Sequence, residues 1–88
     1  MDKKKIMIAE DDTGILEAMQ VMLEDAGYAI TTTVNGDTIK NMREELPDVL
    51  LLDIWMSGVD GTDICRQLKS QELTKHIPII MCSANKDT

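Results

Sequence analysis

The stretch Val49-Leu50-Leu51-Leu52-Asp53 decides the fold, because four uninterrupted apolar residues end in a carboxylate. Pro47-Asp48 precedes the run and Ser57-Gly58 follows it. Such a run predicts a strand that is buried on both faces, as in a parallel sheet packed between helices. Asp53 would then lie at the carboxyl end of the strand, where open α/β sheets bind ligands. The alternative is that Asp53 caps a helix, but Ile54–Gly58 intervenes before any helical pattern begins.

Strand and helix patterns alternate on both sides of this run, and alternation of this kind predicts a parallel sheet with right-handed crossovers. The predicted elements are a strand over Ile6–Ala9, a helix from about Thr13 to Ala26, an edge strand from Tyr28 to Val34, a helix from Thr38 to Leu46 ended by Pro47, the central strand, a helix containing Ile64, Cys65 and Leu68, and a last strand over Ile77–Cys82. The sequence contains no internal repeat.

The first helix has apolar residues at helical spacing, with Asp12 or Thr13 placed to cap its start and Gly27 to end it. Met19 and Met22 share the helix face of the leucines, so we interpret them as core residues. The segment from Trp55 to Gly61 is predicted to be a loop.

Three further residue types have plain structural interpretations. Asp60 is placed to cap the third helix. Cys65 and Cys82 lack metal-ligand spacing and are predicted to be buried, reduced thiols. His76 stands without a second ligand type nearby, which indicates a surface loop residue.

The composition restricts the classes of protein and partner. The chain has 88 residues, 43% of them apolar, which fits one small domain. No stretch approaches the roughly 20 apolar residues of a membrane span, and residues 6–9 are too few for the apolar centre of a signal peptide, so we expect a cytoplasmic protein. With 16 acidic and 9 basic residues the net charge is −7, which opposes binding to nucleic acid or to an anionic membrane. A cation or a protein is the expected partner.

Acidic residues follow two of the predicted strands. The first strand ends in Glu10-Asp11-Asp12, the third in Asp53, and the fourth is followed by Ser83. In a parallel sheet these ends meet at one edge, where the carboxylates raise one another's pKa unless a cation lies among them. Mg²⁺ suits such a set of oxygen ligands. The alternative is a solvated acidic rim, and for Asp12 alone we favour a helix-capping role.

These residues and their spacings resemble the receiver domain of two-component response regulators. The similar features are Glu10-Asp11 after a short strand, Asp53 after Val-Leu-Leu-Leu, the loop Met56–Gly61, and Ser83-Ala84 after the fourth strand. The resemblance covers essentially the whole chain. It implies a flavodoxin-like (CheY-like), doubly wound α/β fold. The strand order of that fold is known from a chemotaxis receiver and is carried over from it. For the strands present here this order is 2-1-3-4.

The resemblance also implies a role for each site residue. Asp53 would accept a phosphoryl group from a histidine kinase or a histidine phosphotransfer protein. Asp11 and Asp53 would bind Mg²⁺, together with Glu10, directly or through water, and the backbone carbonyl of Trp55. Ser83, with Ala84 beside it, would hydrogen-bond the phosphoryl group and act in the switch. A phosphoryl group adds about −1.5 to −2 charges, enough to shift a two-state surface.

The chain departs from the family pattern at two places. Ser57 stands where the family commonly has proline. The family continues after the fourth strand with a helix, a strand ending in a lysine, and a last helix, and Lys86 follows Ser83 too closely to replace that lysine. Residues 1–88 are therefore expected to form an incomplete receiver domain. Its last strand would be an open apolar edge, so we expect association of the chain through that strand, or a longer parent polypeptide.

Three functions are compatible with these residues. The first is a phospho-accepting switch of a phosphorelay, not an enzyme beyond its own phosphorylation and dephosphorylation. The second is an inactive or engineered receiver fragment that associates through its open sheet edge. The third is a small Mg²⁺-dependent phosphotransferase, which would require a second carboxylate where Trp55 stands.

Overall fold

The computed structural model describes residues 3–40, 42–56 and 59–82. Within them the elements are β1 (Lys5–Ala9), α1 (Thr13–Asp25), β2 (Ala29–Thr33), α2 (Gly36–Lys40), β3 (Val49–Asp53), β4 (Trp55–Met56), β5 (Val59–Asp60), α3 (Gly61–Lys69) and β6 (Ile79–Cys82). None of the helices in this part of the chain has the length and apolarity that a membrane span requires.

Four strands form the main sheet, in the order β2-β1-β3-β6, and every neighbouring pair is parallel. Because β6 is the predicted fourth long strand, this order confirms the flavodoxin-like arrangement 2-1-3-4. β3 covers Val49–Asp53, as predicted from the apolar run. The central position of β3, between β1 and β6, follows from its lack of polar residues before Asp53.

The sheet separates two apolar clusters, as expected of a doubly wound fold. On one face Leu50 and Leu52 are fully buried against residues that include Ile64 and Leu68 of α3. On the other face Leu51 is only half-buried, in a smaller cluster with Leu16 of α1. The prediction that β3 is buried on both faces is therefore right for one face and only partly right for the other.

A groove lies beside α1 on this less covered face. It has a volume of about 530 Å³. Its apolar lining comes from β1, β3, β6, the end of α1 and the residue before β2, namely Ile6, Val49, Leu51, Ile80, Leu23 and Tyr28. We call it the α1-side groove.

Helix α1 begins and ends close to the predicted residues. The Asp12 side chain accepts a hydrogen bond from the Ile15 N–H at 3.1 Å, which confirms its capping role. Gly27 follows the helix with φ of 102°, a conformation that favours glycine. Met19 packs against the smaller cluster, but Met22 is 64% exposed, so the prediction that both methionines are core residues is wrong for Met22.

Helix α2 is shorter than predicted, because it ends at Lys40 and does not continue to Leu46. The Met42 N–H donates to the Ile39 carbonyl at 3.2 Å, a turn and not a further helical hydrogen bond. Glu45 has φ of 53°, which a right-handed helix does not allow. Met42 and Leu46 reach the larger cluster from this irregular segment, so their apolar spacing reflects burial without a helix.

The connection from β3 to α3 also differs from the prediction. Trp55 and Met56 pair antiparallel with Asp60 and Val59, so part of the predicted loop is a short hairpin. Ser57 and Gly58 lie outside the described residues. The pairing buries Met56 completely while Trp55 stays exposed.

The cysteines and the histidine are placed by the same elements. Cys65 and Cys82 are free thiols, as predicted, but both are half-buried and not buried. His76 is exposed between α3 and β6, which confirms the prediction of a surface residue.

Candidate metal and phosphoryl-acceptor site

Two parallel strands bring three carboxylates together at one edge of the sheet. β1 and β3 are in register with Ala9 opposite Leu52, so Glu10 and Asp53 follow at the same level. One carboxylate oxygen from each of Glu10, Asp11 and Asp53 lies within 4.8 Å of the others. The sequence prediction that these strand ends meet is therefore correct for the three acidic residues.

The three carboxylates differ in exposure. Glu10 and Asp53 retain only 4% and 7% exposure, whereas Asp11 is exposed. Glu10 directly follows the buried Ala9 and Asp53 the buried Leu52, whereas Asp11 lies on the solvent-exposed side of the cluster. A charge placed among them is partly shielded from water, so its attraction to the carboxylates is stronger than on an open surface.

Backbone N–H groups hold the two buried side chains. Glu10 Oε2 accepts a hydrogen bond from the Asp12 N–H at 3.1 Å. Asp53 Oδ1 accepts one from the Trp55 N–H, at a long 3.4 Å. Because the second contact is weak, the Asp53 carboxylate keeps lone pairs for a cation or an electrophile.

Burial and like charges shift two pKa values at this edge. Burial is the main cause that raises the pKa of Glu10, the Asp12 N–H opposes it, and the charge of Asp53 raises it further. The pKa of the Cys82 thiol is also raised, first by burial and then by the charges of Asp53 and Glu10. Both shifts have the direction expected of an acidic group that is buried beside other negative charges.

The start of α3 packs closely against the backbone of Asp53 and Ile54. Asp60 caps the helix, since its carboxylate accepts hydrogen bonds from the Thr62 N–H at 2.8 Å and hydroxyl at 2.7 Å. These bonds lower the pKa of Asp60. The Gly61 N–H donates to the Ile54 carbonyl at 2.5 Å, and a Cβ on Gly61 would collide with the backbone of Asp53 and Ile54. Glycine is therefore required at this close approach.

The donor set suits a hard divalent cation. Carboxylate oxygens are the ligands that Mg²⁺ prefers, and it retains several waters when few protein ligands are offered. A cation would also offset the charge of Asp53, which adds to burial in raising the pKa of Glu10. A nucleophilic carboxylate beside a divalent cation is one arrangement for phosphoryl transfer.

The remaining predicted site residues have different outcomes. Trp55 lies two residues after Asp53 and is 60% exposed, and its backbone N–H contacts the Asp53 carboxylate. Ser83 and Ala84 lie outside the described residues.

Sequence reasoning missed the steric role of Gly61 and the proximity of Cys82 to the acidic cluster. The Asp60-Gly61 pair at the start of a helix was an available signal for the first. The position of Cys82 at the end of the last strand was a signal for the second.

Comparison with known proteins identifies the family. The response regulator receiver domain matches residues 6–88. The transcriptional regulatory protein CseB of Streptomyces coelicolor is 35% identical over 88 residues, which are 99% of this chain and 36% of CseB. The chain thus spans about a third of the length of that curated relative.

Solved structures agree in fold. A structure of a response regulator from Chloroflexus aurantiacus superposes with a TM-score of 0.87 at 30% identity, covering 98% of this chain and 71% of that one. The receiver domain of a sensor histidine kinase from Pseudomonas aeruginosa, with a magnesium ion coordinated in its active-site cleft, has a TM-score of 0.80 at 26% identity, covering 96% and 70%. Together with the acidic cluster at the carboxyl edge of its parallel sheet, these matches show that the chain belongs to the response regulator receiver domain family.

Proposed function

We propose that this chain is a phospho-accepting signalling module in which Asp53 receives a phosphoryl group from a phosphohistidine of a histidine kinase or phosphotransfer protein. The observation that carries the proposal is the cluster of Glu10, Asp11 and Asp53 within 4.8 Å at the carboxyl edge of the sheet. Membership of the receiver family supports a phospho-accepting role, and the cluster supports Asp53 as the acceptor because β3 delivers it to the centre of that edge.

Glu10, Asp11, Asp53 and the backbone carbonyl of Trp55 are the groups that would hold Mg²⁺. The donor set fits, since the carboxylates converge and the pKa of Glu10 is raised in their company. When bound, Mg²⁺ would neutralise charge on the transferring phosphoryl group and orient it. The magnesium ion in the Pseudomonas aeruginosa receiver structure supports this choice of cation.

The chain's own residues provide the nucleophile and its orientation. An Asp53 carboxylate oxygen attacks phosphorus, and the bond between phosphorus and the donor's histidine nitrogen breaks as the new P–O bond forms. The Trp55 N–H orients Asp53 from one side, and the Asp12 N–H keeps Glu10 turned toward the cluster. Burial of Asp53 limits the water that could hydrolyse the acyl phosphate.

Ser83 and Ala84 complete the proposed switch. β6 ends at Cys82, which is in register with Asp53. Ser83 is the next residue in the sequence, and the hydrogen bond from its hydroxyl to the phosphoryl group stays a prediction. We also propose that residues 1–88 form an incomplete receiver domain, since the chain covers 71% of the matched Chloroflexus structure.

Incubation with acetyl phosphate and Mg²⁺, followed by intact mass measurement, tests the proposal. The wild type should gain one phosphoryl group, Asp53→Asn should gain none, and omission of Mg²⁺ should abolish the gain. The matched control Asp48→Asn, at the other end of β3, should be modified like the wild type. No mass gain would favour an inactive receiver fragment, and turnover of an external phosphoester would favour a phosphotransferase.

A further inference from the structure

The outer edge of β2 has no neighbouring strand in the part of the chain that the structure describes. β2 pairs only on its inner side, in parallel with β1. In the strand order 2-1-3-4-5 of the receiver family, strand 2 is an edge strand and the fifth strand joins the opposite side of the sheet. The segment that the family adds after the fourth strand therefore does not pair with this edge.

Two residues of β2 direct their backbone groups away from the sheet. On the inner side the Ala29 N–H donates to the Lys4 carbonyl at 2.9 Å, and the Thr33 carbonyl accepts from the Glu10 N–H at 3.1 Å. The backbone groups of successive strand residues point to opposite sides, so those of Ile30 and Thr32 point outward. β2 thus offers a short template for another strand.

This edge lacks the features with which edge strands normally avoid pairing, which are charged side chains, proline and bulges. The segment from Tyr28 to Val34 contains neither a charged residue nor a proline. β2 matches β1 residue for residue along its length, without a bulge. Ala29 and Thr31 are exposed, so the edge is accessible to a second chain.

We propose that β2 is a dimerisation surface, occupied by β2 of a second copy that runs antiparallel to it about a twofold axis through Thr31. Ile30 of one copy then exchanges both outward backbone hydrogen bonds with Thr32 of the other. Thr31 is the central residue of β2, so this register pairs the whole strand Ala29–Thr33. A twofold contact uses the same surface of both copies and closes at a dimer.

The side chains at the two ends of β2 complement each other in this register. Tyr28 directly precedes the strand and is 37% exposed, and Val34 directly follows it and is 46% exposed. Antiparallel pairing sets Tyr28 of one copy opposite Val34 of the other at both ends. Cross-strand pairs of an aromatic and a β-branched residue are favourable, as is the pair of threonines at the centre. A second copy therefore suits this edge.

Charge favours the antiparallel orientation. Three carboxylates lie beside the carboxyl end of β2, those of Glu10, Asp11 and Asp12, which follow the neighbouring strand β1. Helix α2, which comes after β2, adds one residue of each sign, Asp37 and Lys40. At the amino end three lysines offset three carboxylates, namely Lys3, Lys4, Lys5, Glu24, Asp25 and Asp48. Antiparallel pairing sets the acidic end of one copy beside the balanced end of the other, whereas parallel pairing sets two acidic ends together.

Disulfide trapping tests the axis. In a Cys65→Ala, Cys82→Ala background, Thr31→Cys places two thiols opposite each other. The backbone groups of Thr31 point inward, so the two Cα atoms of this pair would lie roughly 4.5 Å apart, within the range of a disulfide. Mild oxidation with glutathione should cross-link this variant into dimers. The control Gln67→Cys, at an exposed position of α3, should stay monomeric on non-reducing denaturing gels.

Mixing two single-cysteine variants tests the orientation. In the same background, Ala29→Cys and Thr33→Cys should cross-link with each other, because the proposed register sets residue 29 of one copy opposite residue 33 of the other. Neither variant should cross-link efficiently with itself. Cross-linking of each variant with itself would indicate a parallel pair and overturn the proposed register.

Sedimentation equilibrium tests the dimer itself. The wild type should approach twice the chain mass of 9.8 kDa as concentration rises. Thr31→Lys sets two like charges opposite each other and should remain monomeric with an unchanged far-ultraviolet circular dichroism spectrum, whereas Gln67→Lys should dimerise. A wild type that is monomeric throughout, a Thr31→Lys variant that dimerises like the wild type, or a Thr31→Cys variant that cross-links no faster than Gln67→Cys would overturn the proposal.

Discussion

Replacing Asp53 by Asn should stabilise the metal-free protein, although it removes the proposed functional group. Glu10 and Asp53 are both nearly buried, and their nearest oxygens lie within 4.8 Å. Burial is the main cause that raises the pKa of Glu10, and the charge of Asp53 raises it further, so a second negative charge beside Glu10 is unfavourable. The side-chain amide of the Asp53→Asn variant would remove one charge and supply an N–H donor toward Glu10.

Coulomb's law sets the size of the effect. At 4.8 Å, the upper limit of the separation between these oxygens, two unit charges repel by about 3.5 kcal/mol at an effective dielectric constant of about 20, and by about 1 kcal/mol in bulk water. We expect Asp53→Asn to raise the free energy of unfolding by about 1 to 3 kcal/mol at neutral pH. For a domain of this size each kcal/mol corresponds to roughly 4–8 °C in Tm.

Urea unfolding in the presence of a chelator measures the difference. The matched control is Asp48→Asn, because Asp48 is exposed at the other end of β3 and accepts the Lys5 N–H at 2.8 Å, a bond that an amide oxygen can keep. Mg²⁺ should narrow the gap between Asp53→Asn and the wild type, since it would bind the wild type more tightly. If Asp53→Asn is no more stable than Asp48→Asn without Mg²⁺, the carboxylates do not repel and the site is not assembled as described.

Three further predictions concern the same edge. Gly61→Ala should destabilise the fold by about 1–3 kcal/mol in urea unfolding, because the new Cβ meets the backbone of Asp53 and Ile54. The control Gly14→Ala, whose Cβ meets only one atom at 3.4 Å in the first turn of α1, should be neutral or stabilising. Equal effects of the two substitutions would contradict the close approach at Gly61. The raised pKa of Glu10 gives a contribution to stability that is present below the ordinary pKa of 4.5 and is lost as pH rises through the raised folded value. The increase in the free energy of unfolding caused by Glu10→Gln should therefore grow with pH. An increase that is constant with pH would refute this. In a Cys65→Ala background, Mg²⁺ should accelerate alkylation of Cys82 by iodoacetamide, because the carboxylates that raise its pKa are neutralised; an unchanged rate would argue against a cation at the cluster.

The central strand and the acidic cluster were predictable for a simple physical reason. The run Val49–Leu52 has no polar residue and is short and bounded by turn residues, which favours a buried strand. Parallel alignment then brings the residue after each strand to one edge, which places Glu10 and Asp11 beside Asp53 on the sequence pattern alone. The hydrogen bond from the Asp12 N–H to Glu10 depends on the local turn into α1 and was not predictable.

The errors have a common cause, which is tertiary packing that local patterns do not report. Met42 and Leu46 have helical spacing, yet Glu45 in the left-handed region ends any helix between them. Met22 has the spacing of a core residue but lies at the flank of α1, where no described element covers it. The half-burial of Leu51 follows from the same open face.

Chemical mapping of the modified residue tests the central claim most directly. Borohydride reduces an aspartyl phosphate to homoserine, so after treatment with acetyl phosphate and Mg²⁺ the peptide containing position 53 should carry homoserine, and the peptide containing Glu10 and Asp11 should be unchanged. Homoserine at another aspartate, or none at any position in a folded protein that binds Mg²⁺, would contradict the assignment of Asp53 as the phosphoryl acceptor.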